Sequence, residues 1–350
     1  MKNSAQLIET YLIAFIGGYL FFLFQWPLPW ILGPMTIMIL WKSGTKRSLV
    51  STRFFTNAGL CVLGIYFGQS FTKATFTTVT PYIIPFIMLT LLLITLSVVN
   101  SIFVTKYIKV DPVTSVLGSI PGGLPEMVAA GESLKANTSM VVVFQTIRLL
   151  TVVFLVPFIV IHLFVSDSAD AVQMIGRQGS TDVWRYAFYI PGIALAWILR
   201  NKLPASFVIA PLFITAILGV SGVSLGMFPS WMLVAAQITV GANMGTKITV
   251  KDLKLGGKYS GIYFGLTILL IFLSFGMGYL FSVLTPLSLT TAILSFAPGG
   301  LVEMVLTANS VGADPAVVSS LQFIRLLFII LFVPGILKWF FNRKRAKMHL

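Results

Sequence analysis

Apolar runs separated by short polar loops fill the chain, at residues 8–25, 27–41, 54–72, 81–105 and 138–163, and again at 183–199, 204–220, 229–246, 260–284 and 315–341. Most are close to the roughly 17 to 25 residues an α-helix needs to cross about 30 Å of hydrocarbon. Two further segments, 112–135 and 289–311, are weaker and interrupted by Pro-Gly-Gly. The pattern predicts an all-α polytopic membrane protein with five transmembrane helices plus one re-entrant or broken segment in each half.

The two halves are copies. PGGLPEMVAAGESLKANTSMVVVFQTIRLLTVVFLVP at 121–157 aligns without a gap on PGGLVEMVLTANSVGADPAVVSSLQFIRLLFIILFVP at 298–334, an offset of 177 that also carries Pro27 onto Pro204, Pro34 onto Pro211, Gly64 onto Gly241 and Gly68 onto Gly245. The organisation expected is membrane repeat 1 at 1–165, a linker at 166–182, membrane repeat 2 at 183–342 and a basic tail at 343–350. Internal duplication in a strongly apolar chain marks many secondary transporters, whose binding sites lie where the repeats meet.

Composition sharpens this reading. Hydrophobic residues make up 57% of the chain and charged residues 10%, against roughly 25% charged in soluble domains. The one hydrophilic stretch, 166–182, is too short to hold a core of its own. A net charge of +14 sits in short loops and at the C-terminus rather than on one soluble face, which points to topology and lipid rather than nucleic acid. Arg343, Lys344, Arg345 and Lys347 are placed to lie against anionic membrane lipids. Cys61 stands alone in an apolar span and forms no internal disulfide. Residues 8–25 resemble a signal segment, but their equivalents recur at 185–202, so they read as a span.

In repeat 1 the basic loops are the second (Lys42, Lys46, Arg47, Arg53) and the fourth (Lys106, Lys109). In repeat 2 they are the first (Arg200, Lys202) and the third (Lys247, Lys251, Lys254, Lys258). If basic loops face the cytoplasm, the repeats are inverted relative to each other. Inversion requires an odd number of crossings per repeat, which five spans and one re-entrant hairpin provide, with both termini cytoplasmic. Six true crossings per repeat is the alternative, and would place Lys247 to Lys258 outside.

Pro121-Gly122-Gly123 and Pro298-Gly299-Gly300 interrupt any helix through them. Irregular backbone at membrane depth is tolerated where protein or a water-filled cavity satisfies it. A short helix is expected to restart at Leu124 and Leu301, its free N–H groups facing the repeat interface as an anion-binding end. Glu126 and Glu303 fall in that first turn. There a carboxylate either complements the dipole structurally or, being ionisable inside a membrane, marks function such as binding a coupling proton or Na⁺. The next helices begin at Asn137 and at Asp314-Pro315. They carry Gln145 with Arg148, and Gln322 with Arg325, each pair sharing one face. A guanidinium there suits a substrate carboxylate or phosphate, or else the carboxylate of Glu126 or Glu303.

Other polar groups carry less. Asn57, Gln69, Gln237 and Asn243 on the third spans read as interhelical hydrogen bonders. The Gly64/Gly68 and Gly241/Gly245 spacings read as close packing, and His162 and His349 suggest no metal site.

The duplicated Pro-Gly-Gly-Leu-x-Glu-Met followed by Gln-x-Ile-Arg-Leu-Leu, with Leu32-Gly33-Pro34-Met35 upstream, resembles the bacterial AbrB membrane-protein family over essentially the whole chain. Members are commonly labelled transcriptional regulator or ammonia monooxygenase, and the resemblance extends distantly to cation/proton antiporter and anion transporter folds with inverted repeats. A monooxygenase needs redox metal held by His, Cys or clustered carboxylates, and two distant His and one Cys do not supply it. A DNA-binding regulator needs a recognition element on a basic exposed face, and none is legible.

The expectation is therefore a multi-pass bacterial inner-membrane secondary transporter for a small, anionic solute, coupled to H⁺ or Na⁺. It is not expected to be an enzyme, and no cofactor, metal or direct nucleic-acid partner is expected. Gly122, Gly123, Gly299, Gly300, Gln145, Arg148, Gln322 and Arg325 are the expected substrate-binding residues, and Glu126 and Glu303 the coupling-ion residues. A membrane sensor that affects gene expression indirectly is the alternative. Pairing of two copies is an expectation by analogy with inverted-repeat carriers.

Overall fold

A computed structural model describes residues 2–45, 49, 51–122, 124–164, 182–201, 203, 205–226, 229–248 and 256–348, among which there is no β-strand. In repeat 1 the helices are α1 (Lys2–Leu23), α2 (Pro29–Thr45), α3 (Arg53–Gly68), the short α4 (Lys73–Val79), α5 (Ile83–Val104), α6 (Pro112–Ser119), α7 (Leu124–Ser133) and α8 (Thr138–Phe164). Repeat 2 contributes α9 (Ile190–Ile198), α10 (Ser206–Val220), α11 (Ser230–Lys247), α12 (Lys258–Leu284), α13 (Leu289–Phe296), α14 (Leu301–Ser310) and α15 (Pro315–Met348).

Five segments are long and apolar enough to cross a membrane by length and composition: Gln6–Leu23, Lys73–Val104, Thr138–Phe164, Lys258–Leu284 and Pro315–Leu337. Such helices identify a membrane protein. Three details depart from the pattern-based expectation. Residues 183–199 are not one helix: a 3₁₀ segment at Val183–Tyr189 precedes α9, where Pro191 takes an N-terminal position. Residues 54–72 end earlier, at Gly68, and α4 follows. Residues 343–348 do not form a separate tail but continue α15. Lys46, Arg47, Lys202, Pro204, Lys251, Lys254, His349 and nearly all of the 166–182 linker lie outside the described residues.

The chain forms two compact units, and each draws on both repeats. The first comprises Met1–Thr80, Pro157–Val250 and Val305–Ala316. In it the glycine pairs make reciprocal contacts. A Cβ on Gly64 would strike the Val208 carbonyl, and one on Gly241 would strike that of Ile31. Gly68 likewise meets the Leu212 carbonyl, and Gly245 that of Met35. Val208 and Leu212 stand 177 residues after Ile31 and Met35, so one contact is built twice with the repeats exchanged. Backbones approach this closely only where no side chain intervenes. Polar groups reinforce the packing: Gln69 Nε2 donates to Tyr189 Oη at 2.6 Å and to the Gly226 carbonyl at 2.8 Å, and Lys42 Nζ donates to the Thr246 carbonyl at 2.6 Å.

The second unit comprises Pro81–Val156, Lys251–Met304 and Val317–Leu350. Phe86, Phe281 and Phe296 form one aromatic cluster with centroids 4.7 to 5.8 Å apart. A second apolar cluster gathers Ile94, Val116, Leu117, Ile120, Met127 and Ile329 around the repeat-1 break. Both Pro-Gly-Gly breaks lie in this unit.

Candidate functional site

The breaks follow from local chemistry. Asp111 caps α6, accepting from the Thr114 N–H at 3.0 Å with Pro112 at the first helical position, and Ser288 caps α13, accepting from the Thr291 N–H at 3.3 Å. Pro121 and Pro298 come just past the ends of these half-helices, and the chain restarts as α7 at Leu124 and α14 at Leu301, where the sequence predicts. Helix α8 then begins after Asn137, which accepts from the Met140 N–H at 3.2 Å, and α15 after Asp314, which accepts from the Ala316 N–H at 2.9 Å.

A half-helix that ends inside a membrane leaves its last carbonyls without intrahelical donors, and they must be satisfied by other groups. Gln145 and Arg148 do this for α6. Gln145 Nε2 donates to the carbonyls of Leu117 and Ile120 at 2.5 and 3.2 Å, while the Arg148 guanidinium donates to those of Ile120 and Gly122. Gln322 and Arg325 do it for α13. Gln322 Nε2 donates to Leu294 and Ala297 at 2.6 and 3.2 Å, and Arg325 to Phe296, Ala297 and Gly299 at 3.0, 2.7 and 3.2 Å. A cation at a helix C-terminus also complements the dipole. Substrate contact and ion pairing are the roles legible from sequence; the observed geometry adds a third, the capping of broken helices by buried side chains.

All four side chains are buried: Gln145 and Gln322 are 1% and 2% exposed, Arg148 and Arg325 6% and 5%. Each break of the second unit therefore carries one buried guanidinium at its half-helix end.

The motif residues around each break also have defined places. A Cβ on Gly122 or Gly299 would meet the terminal methyl of Met127 or Met304, both wholly buried, so the methionine of Pro-Gly-Gly-Leu-x-Glu-Met folds back over the first glycine. A Cβ on Gly300 would collide with the Glu303 carboxylate, which accepts from its own backbone N–H at the start of α14. The expected anion-binding end of α14 is thus occupied by a carboxylate of the chain itself. Gly123 and the Glu126 side chain lie outside the described residues. Asn57 lies elsewhere, in the first unit, along a large cavity. Sequence reasoning missed Met127 and Met304, although both sit at fixed positions of the repeated motif.

Membrane-length helices and two Pro-Gly-Gly breaks, each locked by a buried Gln and Arg, define a helical membrane protein with a duplicated broken-helix core. The chain belongs to the AbrB family, whose model, described as transition state regulatory protein AbrB, matches residues 30–341. It is similar to the uncharacterized protein YhjN of Bacillus subtilis (strain 168), 26% identical over 95% of this chain and 94% of the relative. It is also similar to a protein of Escherichia coli (strain K12) named as a regulator, AbrB, 24% identical over 89% and 90% of the two chains. No solved structure matches.

Proposed function

We propose that the protein is a secondary transporter of the bacterial inner membrane that moves a small solute bearing a negative group, coupled to H⁺ or Na⁺. The observation that carries this reading is the buried guanidinium seated at each of the two helix breaks. Two cations held in a low-dielectric interior attract an anion strongly. Broken helices are a usual architecture of carrier sites.

In this reading the repeats are inverted and contribute ten crossings, with both termini cytoplasmic. The backbone at Gly122, Gly123, Gly299 and Gly300 approaches the solute. Arg148 and Arg325, the latter held by Gln322, share their remaining field with the solute while they hold the half-helix ends. Glu303, folded over Gly300 at the mouth of α14, carries the coupling ion, and Glu126 is its counterpart in repeat 1. Protonation of Glu303 would remove a buried negative charge at the start of α14 as the anion enters. Proton and solute would then move together.

The test is charge movement in proteoliposomes on adding small carboxylates, amino acids or ammonium under pH and Na⁺ gradients. A solute-specific current is expected, lost in Glu126→Gln/Glu303→Gln. Full binding and flux in that well-folded variant would sink the coupling role. The name of the Escherichia coli relative favours a second reading, a membrane sensor that uses the same pocket without transport. Binding without flux would select it.

A further inference from the structure

We propose that the first compact unit carries a binding groove for one anionic phospholipid, separate from the broken-helix centre. A cavity of about 1060 Å³ opens between α3, the 3₁₀ segment with α9, and α10. Its ends differ in chemistry. Arg53 and Asn57 on α3 meet Arg200 and Asn201 beyond α9 at one end, and no carboxylate lines the cavity among the described residues. From there the walls turn apolar along α3 through Cys61 to Ile65, and along α9 through Ile193 to Tyr189. From Arg53 to Ile65 is about 18 Å at 1.5 Å per helical residue, close to the roughly 15 Å depth of one hydrocarbon leaflet. A cationic, hydrogen-bonding head site above an apolar slot one leaflet deep matches a phosphate headgroup with its acyl chain.

The second repeat-derived site argues that this groove is built rather than inherited. At the offset of 177, Arg53, Asn57, Arg200 and Asn201 correspond to Ser230, Val234, Leu23 and Phe24. There α1 closes on α11, and Ile13, Ala14, Ile238 and Ala242 share one cluster with Val234 packed against it. The groove has therefore replaced an apolar helix contact with two arginines, two asparagines and open volume. Trp197 marks the boundary, with the Arg200 guanidinium 4.5 Å above its ring, the arrangement by which aromatic and basic side chains anchor at the headgroup level. Arg53 and Arg200 also belong to loops whose charge assigns them to the cytoplasmic side, where anionic lipid is concentrated.

The experiment uses full-length protein purified in detergent, with phosphatidylglycerol or phosphatidylcholine added and bound lipid counted by native mass spectrometry. One phosphatidylglycerol per chain is expected to bind in preference to phosphatidylcholine. Arg53→Gln/Arg200→Gln should weaken that lipid by roughly thirty-fold, the effect of removing two surface cations, and Arg53→Lys/Arg200→Lys should largely restore it. Ala58→Trp, which fills the slot, should remove the tight site with an unchanged thermal midpoint. Phosphatidylglycerol with brominated chains should quench a fluorescence component that disappears in Trp197→Phe. Equal retention of both lipids, unaffected by the charge variants, would overturn the proposal. So would cross-linking of Ala58→Cys chains to one another in vesicles of phosphatidylglycerol, which would show the groove covered by a second copy.

Discussion

Among the described residues, Arg325 reaches three main-chain carbonyls and the side-chain oxygen of Gln322, whereas Arg148, its equivalent in repeat 1, reaches two carbonyls. Among the described residues, Arg148 Nε and Gln145 Oε1 are buried with no hydrogen-bond partner. The same two residue types thus form a closed network at one break and an open one at the other. A buried polar group left unsatisfied costs about 1–3 kcal/mol. An unpartnered donor and an unpartnered acceptor three residues apart on one helix face can both be satisfied by a single group that accepts from one and donates to the other. The comparison teaches an asymmetry: the repeat-2 break closes on itself, and the repeat-1 break keeps a donor and an acceptor unpartnered among the described residues.

The largest effect should come from removing the closed network's centre. Arg325→Met strips the donors from Phe296, Ala297, Gly299 and Gln322 together and should cost about 3–5 kcal/mol, the range for breaking a buried charged network. Arg148→Met, which breaks fewer bonds and removes an orphan donor, should cost about half as much. Thermal unfolding of both variants in one detergent measures the difference. Equal losses would erase the asymmetry.

Glycine substitutions come next. Gly300→Ala forces the Glu303 carboxyl off the start of α14 and should cost about 2 kcal/mol, since the displaced group is polar and buried. Gly122→Ala meets only the end of the flexible Met127 side chain, which can swing aside, and should cost less than about 1 kcal/mol. The same unfolding assay separates them. If Gly122→Ala proved the costlier, the assignment of the Glu303 position would be wrong.

Much of this architecture is legible in the chain because it is dictated locally. The restart at Leu124 and Leu301 follows from the proline and glycines just before it, and the starts of α8 and α15 follow from Asn137 and Asp314 as caps. The glycine pairs at 64/68 and 241/245 announce close packing by their spacing alone, although not the reciprocal partners Val208 and Ile31. What is hidden depends on contacts between distant positions. Gln145 and Arg148 bond to carbonyls 25 to 28 residues away, so their capping role requires knowing where α6 ends in space. A count of orphan carbonyls at each predicted half-helix end could have raised it, because buried acceptors must find donors. The lipid-sized groove was invisible for a related reason. The duplication makes the two first helices look equivalent, and only packing shows that α9 leaves open what α1 closes.

The smallest effects on stability should separate the two breaks most clearly in function. Gln322→Leu removes two carbonyl caps and the acceptor that faces Arg325, so it should cost about 2 kcal/mol of stability. Gln145→Leu also removes two caps, but it eliminates a buried orphan acceptor as well, and the terms offset to leave less than about 1 kcal/mol. For solute affinity the order should reverse. Leucine at 145 deletes a group able to meet the solute, whereas leucine at 322 deletes one already engaged within the protein. Isothermal titration with the solute identified by the flux assay tests this beside the unfolding midpoints. The expected result is an affinity loss of about tenfold for Gln145→Leu, equal to one hydrogen bond of about 1.4 kcal/mol, and a smaller one for Gln322→Leu. Affinity losses that followed the stability losses instead would mean that both glutamines act only as caps, and that the unpartnered atoms at the repeat-1 break do not receive the solute.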